Sequence, residues 1–302
     1  MPKINNLILE LNSACNSRCL YCYLPQHKDT GQGTLEYFKK KLDKYAGQGI
    51  QNVDLTGGEP TLYKDLLELV SYAKHLRYPN LTLVSNGKLV SSRRYCAELL
   101  RAGITRFVFC LDGTDDEMCD KISGAQDSYT LVDKAIKNIK DLNKSCEVCV
   151  TCVVNSLNYK YIPQIVAKAK KSGVDLMNIQ HILPYVKDKR VKCRRLPAGI
   201  IIPYARSFPY VAKALRKYGP GLRINVHFIP YCYLPGFEKY LEQESCKHDR
   251  LVVHYKGFEY NIGKHLQKGC VKIAKCRKCP YTKKCPGFFK SYKKELGIKE
   301  LL

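Results

Sequence analysis

Three cysteines close to the N-terminus, Cys15, Cys19 and Cys22, are spaced C-x3-C-x2-C. Thiolates are ligands for iron–sulfur clusters and for zinc, and a [4Fe–4S] cube normally takes four. Three clustered thiolates leave one metal corner for a group that is not protein. That open position is what separates catalytic from structural metal sites. A zinc site here would need a fourth protein ligand nearby, and His27 stands at a spacing seen in zinc sites. A second group lies near the other end: Cys276, Cys279 and Cys285, spaced C-x2-C-x5-C, with Cys232, Cys246 and Cys270 as rivals for a fourth position. Its spacing also suits a structural Zn(Cys)4 knuckle.

The elements that must position the first group are β–α units. Apolar, strand-like segments occur at Leu7–Leu11, Gln51–Leu55, Leu81–Val84, Phe107–Leu111, Val148–Val154 and Leu176–Ile182. Helical spacing predicts helices over Leu35–Tyr45, Lys64–Leu76, Ser91–Ala102, Tyr129–Asn143 and Ile162–Lys171, with Gly47, Gly49, Gly103 and Gly173 punctuating helix ends. Six such repeats imply a parallel sheet, arranged as a partial (βα)6 barrel of the TIM type. Ligands of such a barrel sit at the C-terminal ends of its strands. The cysteine triplet follows strand 1, Thr56-Gly57-Gly58-Glu59-Pro60 follows strand 2, and Ser85-Asn86-Gly87 follows strand 3. Asp112-Gly113 closes strand 4 and Asn155 closes strand 5. The unusual residues therefore converge on one rim. The alternation breaks after Pro184, which divides the chain into a barrel at 1–190 and a C-terminal region at 191–302 that holds the second cysteine group. A helix over Ala205–Tyr218 and a strand over Ile224–Ile229 are expected in the latter.

With both segments in view, the chain resembles the radical S-adenosylmethionine (SAM) superfamily. Cys15-Asn16-Ser17-Arg18-Cys19-Leu20-Tyr21-Cys22 looks like its C-x3-C-x-φ-C signature, with Tyr21 at the aromatic position, and Gly57-Gly58-Glu59-Pro60 looks like its GGEP motif. The resemblance implies that the three thiolates hold three irons of a [4Fe–4S] cluster and that SAM chelates the fourth. Reductive cleavage of SAM would then give a 5′-deoxyadenosyl radical that abstracts hydrogen from substrate. It also implies that the GGEP backbone and Glu59 contact the SAM amino group and that Tyr21 lies near the adenine. Ser85, Asn86, Asp112 and Asn155 become candidates for ribose or methionine contacts, although turn chemistry accounts equally well for the Ser85–Gly87 and Asp112–Gly113 segments. The second cysteine group is similar to SPASM and twitch extensions, which bind auxiliary iron–sulfur clusters. The next ligand expected by that pattern is replaced by Phe289, so one auxiliary cluster is expected rather than two. By the same resemblance Cys232 is the favoured fourth ligand. The implied partners are SAM, a reductant such as flavodoxin or ferredoxin, and a peptide or protein substrate, with RNA as the alternative.

Composition sets the outer bounds. The chain has 302 residues and 45% hydrophobic content, enough for a substantial core. No apolar run reaches the length of a membrane-spanning helix. A start without a signal-peptide pattern, combined with 16 cysteines, favours metal or cluster ligation in reducing cytoplasm over disulfides. The net charge of +24 is uneven: residues 1–180 carry 24 Lys/Arg against 19 Asp/Glu, and residues 181–302 carry 27 against 8. A polyanion such as RNA would be drawn to the C-terminal part, and a non-enzymatic zinc or iron–sulfur RNA-binding module is the second class of reading. Solvated surface lysines explain the same excess. In Cys146–Val154, alternation puts Cys149 on the face opposite Cys146 and Cys152, which predicts packing rather than ligation. Cys96, Cys110, Cys119 and Cys193 are isolated. Of these, Cys110 is at a strand end where it can face the cavity, and His181 reads as a core histidine.

Overall fold

The computed structural model describes residues 4–22, 31–182, 196–241 and 249–297. Seven strands run parallel in one sheet: β1 (Asn6–Glu10), β2 (Asn52–Thr56), β3 (Asn80–Ser85), β4 (Arg106–Cys110), β5 (Glu147–Val154), β6 (Leu176–His181) and β7 (Arg223–His227). They lie in chain order, and β8 (Arg250–His254) adds to the free side of β1, also parallel. A short antiparallel strand, β9 (Glu259–Asn261), ends the sheet. The open parallel sheet with its crossover helices is the partial barrel that the repeats imply. It differs in having two further parallel strands, both taken from the C-terminal part of the chain. Cys193, His27, Cys246 and the basic run at 187–195 lie outside the described residues.

The helices are α1 (Leu35–Tyr45), α2 (Leu66–His75), α3 (Arg93–Ala102), α4 (Asp116–Ser123), α5 (Ser128–Leu142), α6 (Ile162–Lys171) and α7 (Tyr204–Tyr218). Sequence periodicity finds all of them but α4. That helix has only eight residues, and its identity lies in its ends: the Asp115 carboxylate accepts from the Met118 N–H, and Gly124 takes a left-handed conformation just past the end. Two more short helices, α8 (Ile262–Gly269) and α9 (Lys290–Leu296), flank the second cysteine group together with the β10–β11 ladder of Cys270–Val271 and Phe288–Phe289.

Strand alternation sorts the two faces of the sheet. Leu7, Leu9, Val53, Leu55, Leu83, Phe107, Phe109, Val148, Val150 and Cys152 are buried in the core. The alternate positions face the inside of the open barrel and are mostly polar: Asn6, Glu10, Asp54, Thr56, Thr82, Arg106, Cys110, Thr151 and Asn178. An inner face of this kind solvates a polar ligand, while the apolar outer face supplies the cohesion. Cys149 obeys the alternation: it leaves the core occupied by Cys146 and Cys152 and receives a bond from Asn178 Nδ2 at 3.2 Å. His181 is a core residue, its Nε2 2.7 Å from Ser207 Oγ and its ring edge-on to Tyr204. Leu9 is fully buried at the centre of β1. Leu9→Ala is expected to cost about 2–5 kcal/mol, read as a lower urea midpoint with an unchanged denaturant slope.

Candidate active site

The three thiols sit on the loop that leaves β1, and that loop is fastened on two sides. On one side the Arg18 and Leu20 N–H groups donate to the Ser123 and Ile122 carbonyls at the end of α4, at 2.7 and 2.9 Å. Gly124 makes this approach possible, since a Cβ there would lie 2.9 Å from Arg18 Cβ. On the other side the loop after β2 donates to it backbone to backbone: Gly58 N–H to the Asn12 carbonyl at 2.8 Å and Glu59 N–H to the Ala14 carbonyl at 2.7 Å. A Cβ on Gly57 would stand 2.5 Å from the Asn12 carbonyl oxygen, and one on Gly58 2.2 Å from that of Ala14. Both positions therefore require glycine, and Gly57 also has φ of 138°.

Glu59 is buried, and its carboxylate accepts four bonds: from Thr61 N–H at 3.1 Å, Thr61 Oγ1 at 2.6 Å, Ser85 Oγ at 2.8 Å and Asn86 N–H at 2.7 Å. Burial pushes its pKa up, and these four bonds pull it back down. The carboxylate thus bolts the GGEP loop to the end of β3, and Pro60 opens the short 3-10 turn that follows. Asn86 continues the link, donating through Nδ2 to Asn16 Oδ1 at 2.6 Å and Ser17 Oγ at 3.3 Å. Tyr21 donates its hydroxyl to Asp112 Oδ2 at 2.6 Å, and the other carboxylate oxygen accepts from Val153 N–H at 2.7 Å. Burial raises Asp112 to about 6. Asn155 is spent on its own turn, donating to the Val153 carbonyl and accepting from Leu157 N–H, both at 2.9 Å. The structure therefore gathers Cys15, Cys19, Cys22, Tyr21, Gly57, Gly58, Glu59, Pro60, Ser85, Asn86 and Asp112 on one rim. Asn155 serves the adjoining loop.

Two participants carry no sequence signal beyond their place in the chain. Asn12, three residues before Cys15, donates through Nδ2 to the Glu59 carbonyl at 3.0 Å. Asn158 Nδ2 donates to the Asp112 and Val153 carbonyls, both at 3.0 Å. Cys110 is exposed at the end of β4, close enough to raise the pKa of Cys19 electrostatically, as the cavity-facing expectation requires.

The thiols fit a cluster with an open corner. All three are half-buried, and the thiol pKa values of Cys15 and Cys19 are pushed up, foremost by burial and then by neighbouring thiols and carboxylates. Only a bound cation makes three such thiolates coexist, so metal binding here releases protons. At the other end, Cys232 is exposed on the 3-10 turn at Tyr231–Tyr233, and Cys276, Cys279 and Cys285 are half-buried. Burial raises Cys232 to about 11, with Cys285, Cys279 and Cys276 adding to the rise in that order, so the other three thiols lie within electrostatic reach of Cys232. Cys270 instead donates to the Leu266 carbonyl at 3.4 Å. Phe289 is buried in the core against Phe228. From residue 260 to 294 there are 11 Lys/Arg and no Asp or Glu, a setting suited to a net-negative thiolate cluster. Among the described residues no three His, Cys, Asp or Glu side chains lie close enough to hold a single metal ion.

A family model described as the radical SAM superfamily matches residues 9–169, more than half of the chain and all of the rim. The chain belongs to the radical SAM superfamily. Membership brings SAM and a [4Fe–4S] cluster with it and makes the chain an enzyme. A probable GTP 3′,8-cyclase of Sulfurisphaera tokodaii is 26% identical over 236 residues, 76% of this chain and 70% of that protein. The PqqA peptide cyclase of Bradyrhizobium diazoefficiens is 26% identical over 182 residues, 59% of this chain and 47% of that protein. Several other relatives are matched over little more than half their length or less. Among solved structures, anSMEcpe with bound AdoMet and Kp18Cys peptide matches with a TM-score of 0.70 and 18% identity, covering 96% of this chain and 90% of that one. Streptococcus suis SuiB bound to SAM matches with a TM-score of 0.65 and 16% identity, over 96% and 73%. No helix among the described residues is long and apolar enough to cross a membrane.

The glycine contact generates a direct prediction. Gly58→Ala is expected to part the two loops and to lower iron bound at the N-terminal site after anaerobic reconstitution by more than half. Iron analysis against Gly221→Ala, whose backbone is not left-handed and whose Cβ would meet only the flexible end of Lys170 at 3.0 Å, checks it.

Proposed function

We propose that this enzyme modifies a peptide or protein through hydrogen abstraction at the inner face of its barrel, with a second cluster in the C-terminal region. The observation that carries the reading is the extent of structural likeness. The fold of anSMEcpe, which was solved with bound peptides, accounts for 96% of this chain, C-terminal cysteine region included. The name of the PqqA peptide cyclase points the same way. Cys15, Cys19 and Cys22 would hold the SAM-binding cluster, and Cys232, Cys276, Cys279 and Cys285 the second one.

The cluster with SAM supplies one-electron cleavage of the sulfonium and hence hydrogen abstraction. This chain's own residues set the stage. The backbone of Gly57 and Gly58 lets the GGEP loop lie directly on the cysteine loop. Glu59, held by its four donors, keeps the GGEP loop and the end of β3 in register. The Tyr21–Asp112 pair fixes the aromatic ring over the rim, and Ser85 and Asn86 tie strand 3 to the cysteine loop. The polar inner face of β4 to β6 receives substrate. Residues 191–302 bring the second site to the barrel, and an acidic carrier such as flavodoxin or ferredoxin suits the basic surroundings of its thiols.

The names of the GTP 3′,8-cyclase relatives support a second reading, a nucleotide substrate. One experiment separates the two. SAM, reductant and either GTP or a library of perdeuterated peptides are supplied, and deuterium in the released 5′-deoxyadenosine is measured. Deuterium from peptide supports the proposal, whereas GTP consumption without transfer from any peptide overturns it. RNA would score as neither until a tRNA fraction is added, and transfer from RNA would also overturn the proposal. For the second cluster, Cys232→Ala is expected to lower total iron by about four atoms per chain, while Cys270→Ala leaves it unchanged. Equal loss in both variants would displace Cys232 as the ligand.

A further inference from the structure

One group of titratable side chains on the inner face plays no part in the site above. Glu10 ends β1, in register with Thr56 of β2 on one side and His254 of β8 on the other. Thr56 runs directly into Gly57, so the carboxylate stands beside the strand end that starts the GGEP loop. Its Oε2 is 3.6 Å from His254 Nε2, and its Oε1 accepts from the Tyr260 hydroxyl at 3.5 Å. The histidine is held firmly. Its Nδ1 accepts from Lys256 N–H at 3.0 Å, which leaves the ring proton on Nε2, directed at Glu10. Its ring is sandwiched between Tyr255 and Phe258, each stacked at 4.3 Å. The Glu10 side chain keeps 19% of its surface open and His254 only 5%. A carboxylate that only anchored β8 would not need an open side.

We propose that Glu10 is the proton-accepting group of the substrate chamber, with His254 and Tyr260 orienting its carboxylate. The inference deepens the peptide-modifying reading and rests on it. Removing a hydrogen atom from a carbon that bears O–H, S–H or N–H makes that group strongly acidic. The step assigned to Glu10 is a proton transfer alone. The X–H bond of the substrate breaks heterolytically, its electron pair stays on X, and the proton passes to a carboxylate oxygen of Glu10. No electron moves to or from the protein in this step.

The environment suits a group that changes charge in neutral solution. Burial raises Glu10 to about 7, opposed by the Tyr260 bond. The groups around Glu10 come from five elements: His254 on β8, Tyr260 on β9 with His265 of α8 behind its ring at 5.7 Å, Thr56 on β2, with Asp54 two residues before it on the same face, and Tyr37 of α1, which donates to the His254 carbonyl at 3.2 Å. Because folding favours the protonated form, the pair's contribution to stability is full below the ordinary glutamate range and fades as pH rises through about 7.

The test uses the full chain after anaerobic reconstitution, as wild type, Glu10→Gln and Glu10→Asp, each first shown to hold wild-type iron. Infrared difference titration of protein labelled with 13C in the glutamate carboxyls is expected to show one carboxyl with a midpoint near pH 7 that is missing from Glu10→Gln. With a peptide that transfers deuterium, Glu10→Gln is expected to lose about a hundredfold in turnover. The acid limb of the wild-type pH profile should vanish with it, and Glu10→Asp should restore part of both. A Glu10 midpoint in the ordinary carboxyl range, or Glu10→Gln turnover equal to wild type at every pH, overturns the proposal. If wild type cleaves SAM but alters no peptide, the peptide reading fails on its own, and the titration alone decides whether Glu10 exchanges protons.

Discussion

Two backbone hydrogen bonds, Gly58 N–H to Asn12 and Glu59 N–H to Ala14, hold the cysteine loop and the GGEP loop face to face. The contact is so close that neither glycine leaves room for a Cβ. Everything else on the rim is arranged around it. Glu59 can turn its carboxylate inward to Thr61, Ser85 and Asn86 because its backbone is already committed to the cysteine loop. Asn86 returns the link to Asn16 and Ser17, so three successive strand ends form one hydrogen-bonded arc. A cluster site needs this rigidity, because thiolates on a loop have no strand of their own to fix them. The far side of the loop is secured in the same way, by backbone bonds to α4 across Gly124.

The sheet beneath divides its labour by alternation. Outward residues of β1 to β6 are apolar and fully covered by helices, which supplies most of the cohesion. Inward residues are polar and half-open, which leaves the chamber able to take a hydrogen-bonding ligand. The cost of burying ionisable groups there is visible in Asp112, Cys19 and Glu10, whose pKa values desolvation holds above their ordinary range. Such shifts gather where a protein has work to do.

Much of this was legible before any coordinates. Strand and helix periodicity located seven strands and six of the first seven helices, because each covers a contiguous apolar face. α4 escaped since eight residues give little periodicity, and only its caps mark it. β8 escaped for another reason: its pairing with β1 is set by a contact more than 240 residues away in sequence, which no local pattern encodes, and β9 is a three-residue strand that pairs only with β8. The glycine pair could be assigned a close backbone approach, but not its partner. Only the fold shows that Asn12 and Ala14 are what a side chain would strike. Glu59 was legible as a hydrogen-bond acceptor expected to meet the SAM amino group, but not its four donors from within the protein, and the bonds that Asn155 makes to its own turn had no counterpart in the sequence reading. Glu10 gave no signal at all, since a single carboxylate at a strand end is ordinary until His254 and Tyr260 are folded over it.

The central claim is that the triplet and the glycine contact together hold a SAM-cleaving cluster. The most direct measurement is 5′-deoxyadenosine released by the anaerobically reconstituted, dithionite-reduced chain given SAM, for wild type and for the Cys15→Ala/Cys19→Ala/Cys22→Ala variant. Release by wild type and none by the variant is the predicted result. Equal release from both, or none from wild type carrying a full complement of iron, would contradict it.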